Sequence, residues 1–552
     1  MDSVMRLLQN KAFYWSLCGL LVVTIAVTHI SFLSTVPRGL NIDEVGMAYD
    51  AWSVSKTGHD SYLHSWPVYF LNRGDGMSPL YVYLESGIIA LFGVSVAGMR
   101  APAVIASFIT LLAGAYIVRA QWSGRRMPLL LYLFMFAVVP YFTMYSRIAL
   151  DCNLFLPFSL LLLATIVYNL RRKKPRWWLT GIVAGVTLYT YILSWIIVPL
   201  FLLLFTIYLL WCRRFSWRRV AQIWLPLCLL ALPLVGVVAV NFAGVAQFTV
   251  GPFTVPQLVQ NRSSDFGFAL RNLRYMLDSL LLGDNVFIYA DPHFTPFQYL
   301  SIPFAFIGLA FCGYRFSRAF RRRRLNIAVL LCLWFLAYVS LASFMSGATG
   351  QGPIMHQLNG LYGVTLLFIV WGIVEGFDLL RERLLHSRRW RAVPAVFLGG
   401  LVVAYTVLFG LFSYDYFVTQ PRSWDAGVTN MNISGALGSL TADYPSLGDA
   451  IAYLNTLPPQ VRDRATYIRH VQIPEVYYLL SQRVPASEIY QQRRVDGRVW
   501  YYRNFVFEKP MGYVLTENYI VANWQGPELT QLKSMGFSDV KRFGKYWVFV
   551  NP

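Results

Sequence analysis

Asp43 and Glu44 stand side by side directly after the first long apolar segment, residues 12–35, where the chain enters a polar loop. A charged carboxylate is costly next to a bilayer, and those that stay there generally bind a ligand or move a proton. Beyond the pair, the loop carries Trp66, Tyr69, Asp75, Tyr81, Tyr83 and Glu85 before the next segment that must cross. An acidic doublet followed by an aromatic, amphipathic stretch suits an enzyme that works at a membrane surface.

Other polar groups belong to the same set if later loops emerge on the same side. Arg100 lies at the end of the first loop, Arg147 and Asp151 in the second, and Arg262, Asp265, Arg271 and Arg274 in a long one further on. His356 falls in the glycine-rich stretch 346–360. Carboxylates can serve as general bases or hold a divalent cation, and arginines offer planar paired donors to a phosphate. No G-x-x-x-x-G-K-[ST], G-x-G-x-x-G or D-x-D pattern accompanies them, so a nucleotide-activated donor is not indicated. A phosphate-reading site on an outer surface then needs its activated group on a lipid, whose phosphate lies at headgroup level.

The elements that position these residues follow from composition. Of the chain, 56% is hydrophobic and 13% charged, against about 25% charged in an ordinary soluble domain. Mean hydropathy is +0.48. This is the make-up of a polytopic membrane protein. The net charge of +20 sits in short clusters between apolar runs, the pattern of membrane orientation rather than of nucleic-acid binding. Six cysteines, at 18, 152, 212, 228, 312 and 332, form no C-x-x-C pair, which excludes a zinc-finger or disulfide framework. The N-terminus, with Arg6 and Lys11 before its apolar run, reads as an uncleaved first span.

The basic clusters are 125–126, 171–176, 213–219, 321–324 and 381–391, and placing all of them inside fixes the topology. The apolar block between Arg176 and Arg213 must then be a hairpin of two short helices turning near Ser194 and Trp195. Residues 79–94 cannot be a crossing without inverting every later cluster, so they are expected to lie as a helix on the outer surface. The result is about eleven transmembrane helices, with the N-terminus inside. The segment 1–413 forms the membrane domain, and 414–552 is a soluble α/β domain outside. Its expected strands are 465–471, 511–516 and 545–550, its helices 446–457, 473–482 and 526–536, and its hinge lies between Asp415 and Asp425.

Asn41-Ile42-Asp43-Glu44, Ser78-Pro79-Leu80-Tyr81, Phe92-Gly93 and Met99-Arg100-Ala101-Pro102, in that order, resemble the opening of the GT-C membrane glycosyltransferases related to protein O-mannosyltransferases and the lipid A aminoarabinose transferase. Ser146-Arg147 with Asp151 is similar to their second-loop motif, and Tyr189-Thr190-Tyr191 to a later one. The resemblance spans roughly the first 210 residues. It implies a GT-C fold, a polyprenyl-phosphate-linked sugar donor and inverting transfer to a glycan, lipid or protein of the cell envelope, at the outer face of a bacterial cytoplasmic membrane. By position, Asp43, Glu44 and Asp151 become the catalytic candidates. Arg147, Arg262, Arg100 and His356 become the donor-phosphate contacts, and Asp75, Tyr81 and Glu85 the substrate contacts. Where the aminoarabinose transferase has Glu-Lys before its proline, this chain has Gly76-Met77-Ser78, so that lysine's phosphate contact is replaced or absent.

Each of these residues has a structural alternative. Asp43 and Glu44 suit a helix cap, Arg147 and Arg262 suit guanidinia reaching headgroups, Arg147 and Asp151 suit an ion pair, and His356 suits a hydrogen-bonding role. Two other functions compete: a transporter or flippase of a lipid-linked glycan, which should show paired repeats with broken helices, and a non-enzymatic assembly factor that binds polysaccharide.

Overall fold

The structure is a computed structural model. It describes residues 9–72, 75–213, 215–258, 269–283, 294–342, 355–384, 392–425, 441–471, 473–492, 499–507, 512–522 and 526–551. Among them, eight helices are long and apolar enough to cross a membrane: Lys11–Ile30, Val96–Gln121, Asp151–Arg171, Ser194–Trp211, Trp217–Phe242, Tyr299–Arg321, His356–Arg383 and Val393–Arg422. Four shorter apolar helices accompany them, Pro79–Phe92, Met127–Val138, Trp177–Thr187 and Ile327–Leu341. The apolar block after Arg176 is two helices, Trp177–Thr187 and Ser194–Trp211, and the break falls at 188–193, just ahead of the expected turn.

The chain forms two compact units: Met1–Ser31, Ala103–Leu232 and Ser263–Tyr414 in the first, Phe32–Pro102, Pro233–Arg262 and Asp415–Pro552 in the second. In the first unit, lipid cannot drive apolar helices together, so close backbone packing must. Helices Ile302–Arg321 and Asn359–Leu384 meet at two glycines: a Cβ on Gly308 would lie 1.8 Å from the Phe368 carbonyl oxygen, and one on Gly372 2.1 Å from that of Phe304. The basic clusters do more here than orient the chain. Arg125 grips Asp378 through both terminal nitrogens at 2.7 and 2.9 Å, and Arg315 reaches Glu375 at 2.6 Å.

All strands lie in the second unit: β1 (Leu40–Asn41), β2 (Phe70–Asn72), β3 (Asp75–Met77), β4 (Phe248–Val250), β5 (Phe253–Val255), β6 (Thr441–Ala442), β7 (Thr466–Arg469), β8 (Tyr501–Tyr502), β9 (Phe505–Val506), β10 (Asn518–Ala522), β11 (Asp539–Phe543) and β12 (Tyr546–Val550). Strands β7 to β12 form a mixed sheet in the order β11-β12-β10-β7-β9-β8, with parallel pairing of β7 to both β10 and β9. Helix Gly526–Ser534 packs on it through Leu529 and Leu532, against Tyr519, Val521 and Phe549. Helices Tyr444–Asn455 and Pro474–Ser481 fall where the apolar periodicity places them. The strand expected at 511–516 is instead β10, at 518–522. All five residues of β10 are buried, and a central, parallel-paired strand reads as a continuous apolar run rather than as the alternation that 511–516 displays.

The first polar loop belongs to this same unit. Strand β1 pairs with β6 in the register Leu40↔Ala442 and Asn41↔Thr441. Tyr477 donates to the Leu40 carbonyl at 2.8 Å, and Tyr49 to that of Val484 at 2.7 Å. Residues on both sides of Asp43 and Glu44 are therefore tied to the sheet domain. Residues Asp415–Thr419, where the second unit resumes, form a π-helical turn followed by the short helix Gln420–Asp425.

Candidate active site

Asp43 and Glu44 occupy the first turn of helix Ile42–Thr57. Asn41 caps it: its Oδ1 accepts the Asp43 N–H at 2.7 Å, and Glu44 reaches back so that Oε2 accepts the Asn41 N–H at 3.0 Å. This reciprocal box satisfies two donors that the helix leaves open, and Asn followed three residues later by Glu is a sequence signal for it. The two carboxylates diverge from there. Asp43 is partly exposed, and Asn72 Nδ2 at the end of β2 donates to its Oδ1 at 2.9 Å. Asn72 comes this close because residue 46 is glycine; a Cβ there would lie 2.7 Å from Asn72 Oδ1.

Glu44 is buried with Arg100, whose Nε donates to Glu44 Oε1 at 3.1 Å. The same guanidinium donates to the carbonyls of Leu33 at 3.0 Å, Pro37 at 3.1 Å and Gly39 at 2.8 Å. Four bonds from one buried cation fold residues 33–39 around it. Tyr81 is also buried, with its hydroxyl on the Met99 carbonyl at 2.9 Å. Glu85 is buried as well, and neither of its oxygens has a hydrogen-bond partner among the described residues. Burial first, then the nearby charges of Glu44 and Asp50, raise its pKa well above the usual carboxylate range.

In the first unit, Arg147 is fully buried and donates to the carbonyls of Thr28 and Ser31, both at 2.7 Å. It thereby occupies open acceptors at the C-terminus of helix Lys11–Ile30. Asp151 opens the short turn Asp151–Leu154, and its Oδ1 accepts the Cys152 N–H at 2.7 Å. His356, partly exposed, lies in a second such turn, Met355–Leu358. Asn359 joins the two turns: Nδ2 donates to the Cys152 carbonyl at 2.9 Å, and Oδ1 accepts from Tyr141 at 2.8 Å. Asp151 and His356 are thus carried on neighbouring backbone, held by a buried amide.

Asp75 lies in β3, beside a glycine with a reason. A Cβ on Gly76 would lie 2.3 Å from the ring of Tyr69, so glycine there makes room for that ring. Arg262 lies outside the described residues, as does Asp265. Arg274 is exposed and 3.7 Å from Asp278. Sequence reasoning passed over Asn72, Gly46 and Asn359; their roles depend on partners 26 residues or more away in the chain for the first two and over 200 for the third, and no local pattern marks them. It also passed over Asp50 and Asp60, which are buried and accept backbone N–H groups of Ser61 and of Tyr62 and His64. Among the described residues, no group of three or more His, Cys, Asp or Glu side chains is placed to hold a metal ion.

Residues 77–240 match the family model described as dolichyl-phosphate-mannose-protein mannosyltransferase. The fold is similar to that of ArnT from Cupriavidus metallidurans in the apo state, with TM-score 0.54 and 13% identity over 98% of this chain and 100% of that one. ArnT of the same organism bound to undecaprenyl phosphate gives TM-score 0.51 and 13% identity, covering 97% and 99%. Comparison with curated protein sequences yields no match. The chain thus has the GT-C fold that its opening motifs imply.

Proposed function

We propose that this protein is an inverting glycosyltransferase that moves a sugar from a polyprenyl-phosphate carrier to a cell-envelope acceptor at the outer face of a bacterial cytoplasmic membrane. The observation that carries the reading is the contrast within one helical turn: Glu44 is locked to Arg100, while Asp43 stays partly exposed and is aimed by Asn72. The similarity to ArnT bound to undecaprenyl phosphate supports the donor class. Helix Pro79–Phe92 supports the placement at a surface. Its 14 residues span about 21 Å, short of a ~30 Å hydrocarbon core, and Leu91 and Phe92 at its end are 78% and 79% exposed.

In this reading Asp43 takes the proton from the acceptor hydroxyl. That oxygen bonds to the anomeric carbon from the face opposite the phosphate, and the carbon–oxygen bond to the carrier breaks with its electron pair leaving on the phosphate. Asp151 orients the acceptor, and Arg262 and His356 receive the developing phosphate charge. Arg100 and Glu44 hold backbone in place beside Asp43, Arg147 holds the end of helix Lys11–Ile30, and Tyr81 and Glu85 pack the surface helix. The test is purified protein in nanodiscs with a radiolabelled polyprenyl-phospho-sugar and an envelope extract. Free carrier phosphate with label on an acceptor, abolished by Asp43→Asn, is expected. Movement of the intact lipid-linked sugar between leaflets without cleavage would place the protein among transporters and end the proposal.

A further inference from the structure

The sheet domain carries a polar groove of its own, enclosing about 680 Å³ beside the edge strand β8. That volume suits a small oligosaccharide rather than a single ion. Three guanidinia border it: Arg462, Arg483 and Arg503. Two acidic groups oppose them. Arg462 is 2.8 Å from Asp463, and Arg503 is 3.8 Å from Glu488, which also accepts the hydroxyl of Tyr502. Arg483, exposed, leaves the groove with one positive charge in excess.

The backbone of this groove is unusual. Arg483 and Arg503 both lie in the left-handed region, with φ of 50° and 52°. That conformation is unfavourable for a residue with a Cβ and tends to persist where it places a functional side chain. The amides of Asn455 and Asn504 complete the polar lining, over buried Tyr478 and Phe505. Amides for hydroxyls and guanidinia for an acidic group make up a site for an acidic saccharide.

The groove is also wired to the acidic pair. Val484, in its wall, accepts the Tyr49 hydroxyl at 2.7 Å, and Tyr49 lies on the helix that starts at Ile42. Asp43 is six residues up that helix, about 9 Å along its axis. We propose that this groove binds the acceptor, a saccharide bearing an acidic group, phosphate or carboxylate, and hands it toward Asp43. The word acceptor rests on the transferase reading; saccharide binding by the groove does not.

The test is equilibrium binding of trigalacturonate, maltotriose phosphate and neutral maltotriose to the full-length protein in detergent micelles, followed by calorimetry. At least one acidic trisaccharide is expected to bind about tenfold or more tightly than maltotriose, and which one does so separates carboxylate from phosphate recognition. Arg483→Gln with Arg503→Gln should weaken it about tenfold or more, and both substitutions keep a Cβ, so the left-handed backbone is no more strained than before. Asp43→Asn should leave this binding unchanged, which keeps it separate from failure of the catalytic assignment. No binding, equal binding of the neutral sugar, or a double variant that binds like wild type would each overturn the proposal.

Discussion

Arg100 and Glu44, 56 residues apart in sequence, form a buried ion pair with Nε 3.1 Å from Oε1, and the rest of the guanidinium is spent on three backbone carbonyls. The pair therefore works as a bracket for residues 33–39 and for the start of helix Ile42–Thr57. Removing one partner strands the other charge in the interior, which costs about 3–5 kcal/mol. Glu44→Gln should lower the thermal midpoint in detergent, followed by tryptophan fluorescence, and reduce transfer only in proportion to unfolding. A Glu44→Gln protein that is as stable as wild type but inactive would return Glu44 to the catalytic group.

Asp43→Asn should do the opposite. Asparagine keeps the shape of the side chain and an oxygen for Asn72, so stability should move by less than about 0.5 kcal/mol. Loss of the base should lower the transfer rate by about 10²–10⁴-fold. Parallel melting curves and initial rates on one preparation check both halves.

Gly46→Ala puts a methyl group 2.7 Å from the position of Asn72 Oδ1, closer than real Cβ contacts allow, so the amide must retreat from Asp43. The expected result is a fall in kcat with KM for the donor little changed. Asn72→Ala should reproduce it, and the two substitutions together should cost no more than either alone.

Glu85 gives a pH signature. Its folded-state pKa is raised, so the stability it contributes is fully present below the unfolded carboxylate value and is lost as pH rises toward the folded one. Glu85→Gln removes that dependence. The variant should match wild type near pH ~4 and become the more stable of the two as pH increases. Melting midpoints of both proteins from pH 4 to 8 decide it; parallel curves across that range would mean that Glu85 titrates normally.

Tyr49 and Tyr477 tie the acidic helix and the strand before it to the sheet domain through hydrogen bonds to the carbonyls of Val484 and Leu40. Each Tyr→Phe change should cost about 1 kcal/mol, since it leaves a buried carbonyl short of a partner. Limited proteolysis between 57 and 75 should quicken in both variants relative to wild type.

Much of this protein was legible before any coordinates. Apolar runs broken by arginine clusters specify a polytopic membrane protein, because hydrophobic length and charge placement act locally along the chain. The split of the block after Arg176 into two helices, the cap at Asn41 and most helices of the C-terminal segment follow from patterns within a few residues. Ordered short motifs sufficed to name the fold. Tertiary structure alone decided what each carboxylate meets. Asp43 and Glu44 are adjacent in sequence, yet Glu44 meets Arg100 and Asp43 meets Asn72; Glu85 meets no hydrogen-bonding group among the described residues. The joining of β1 to β6, 400 residues downstream, was equally invisible. Burial and partnership set whether a carboxylate is a strut, a base or a neutral acid, and both are properties of long-range contacts that no local pattern encodes.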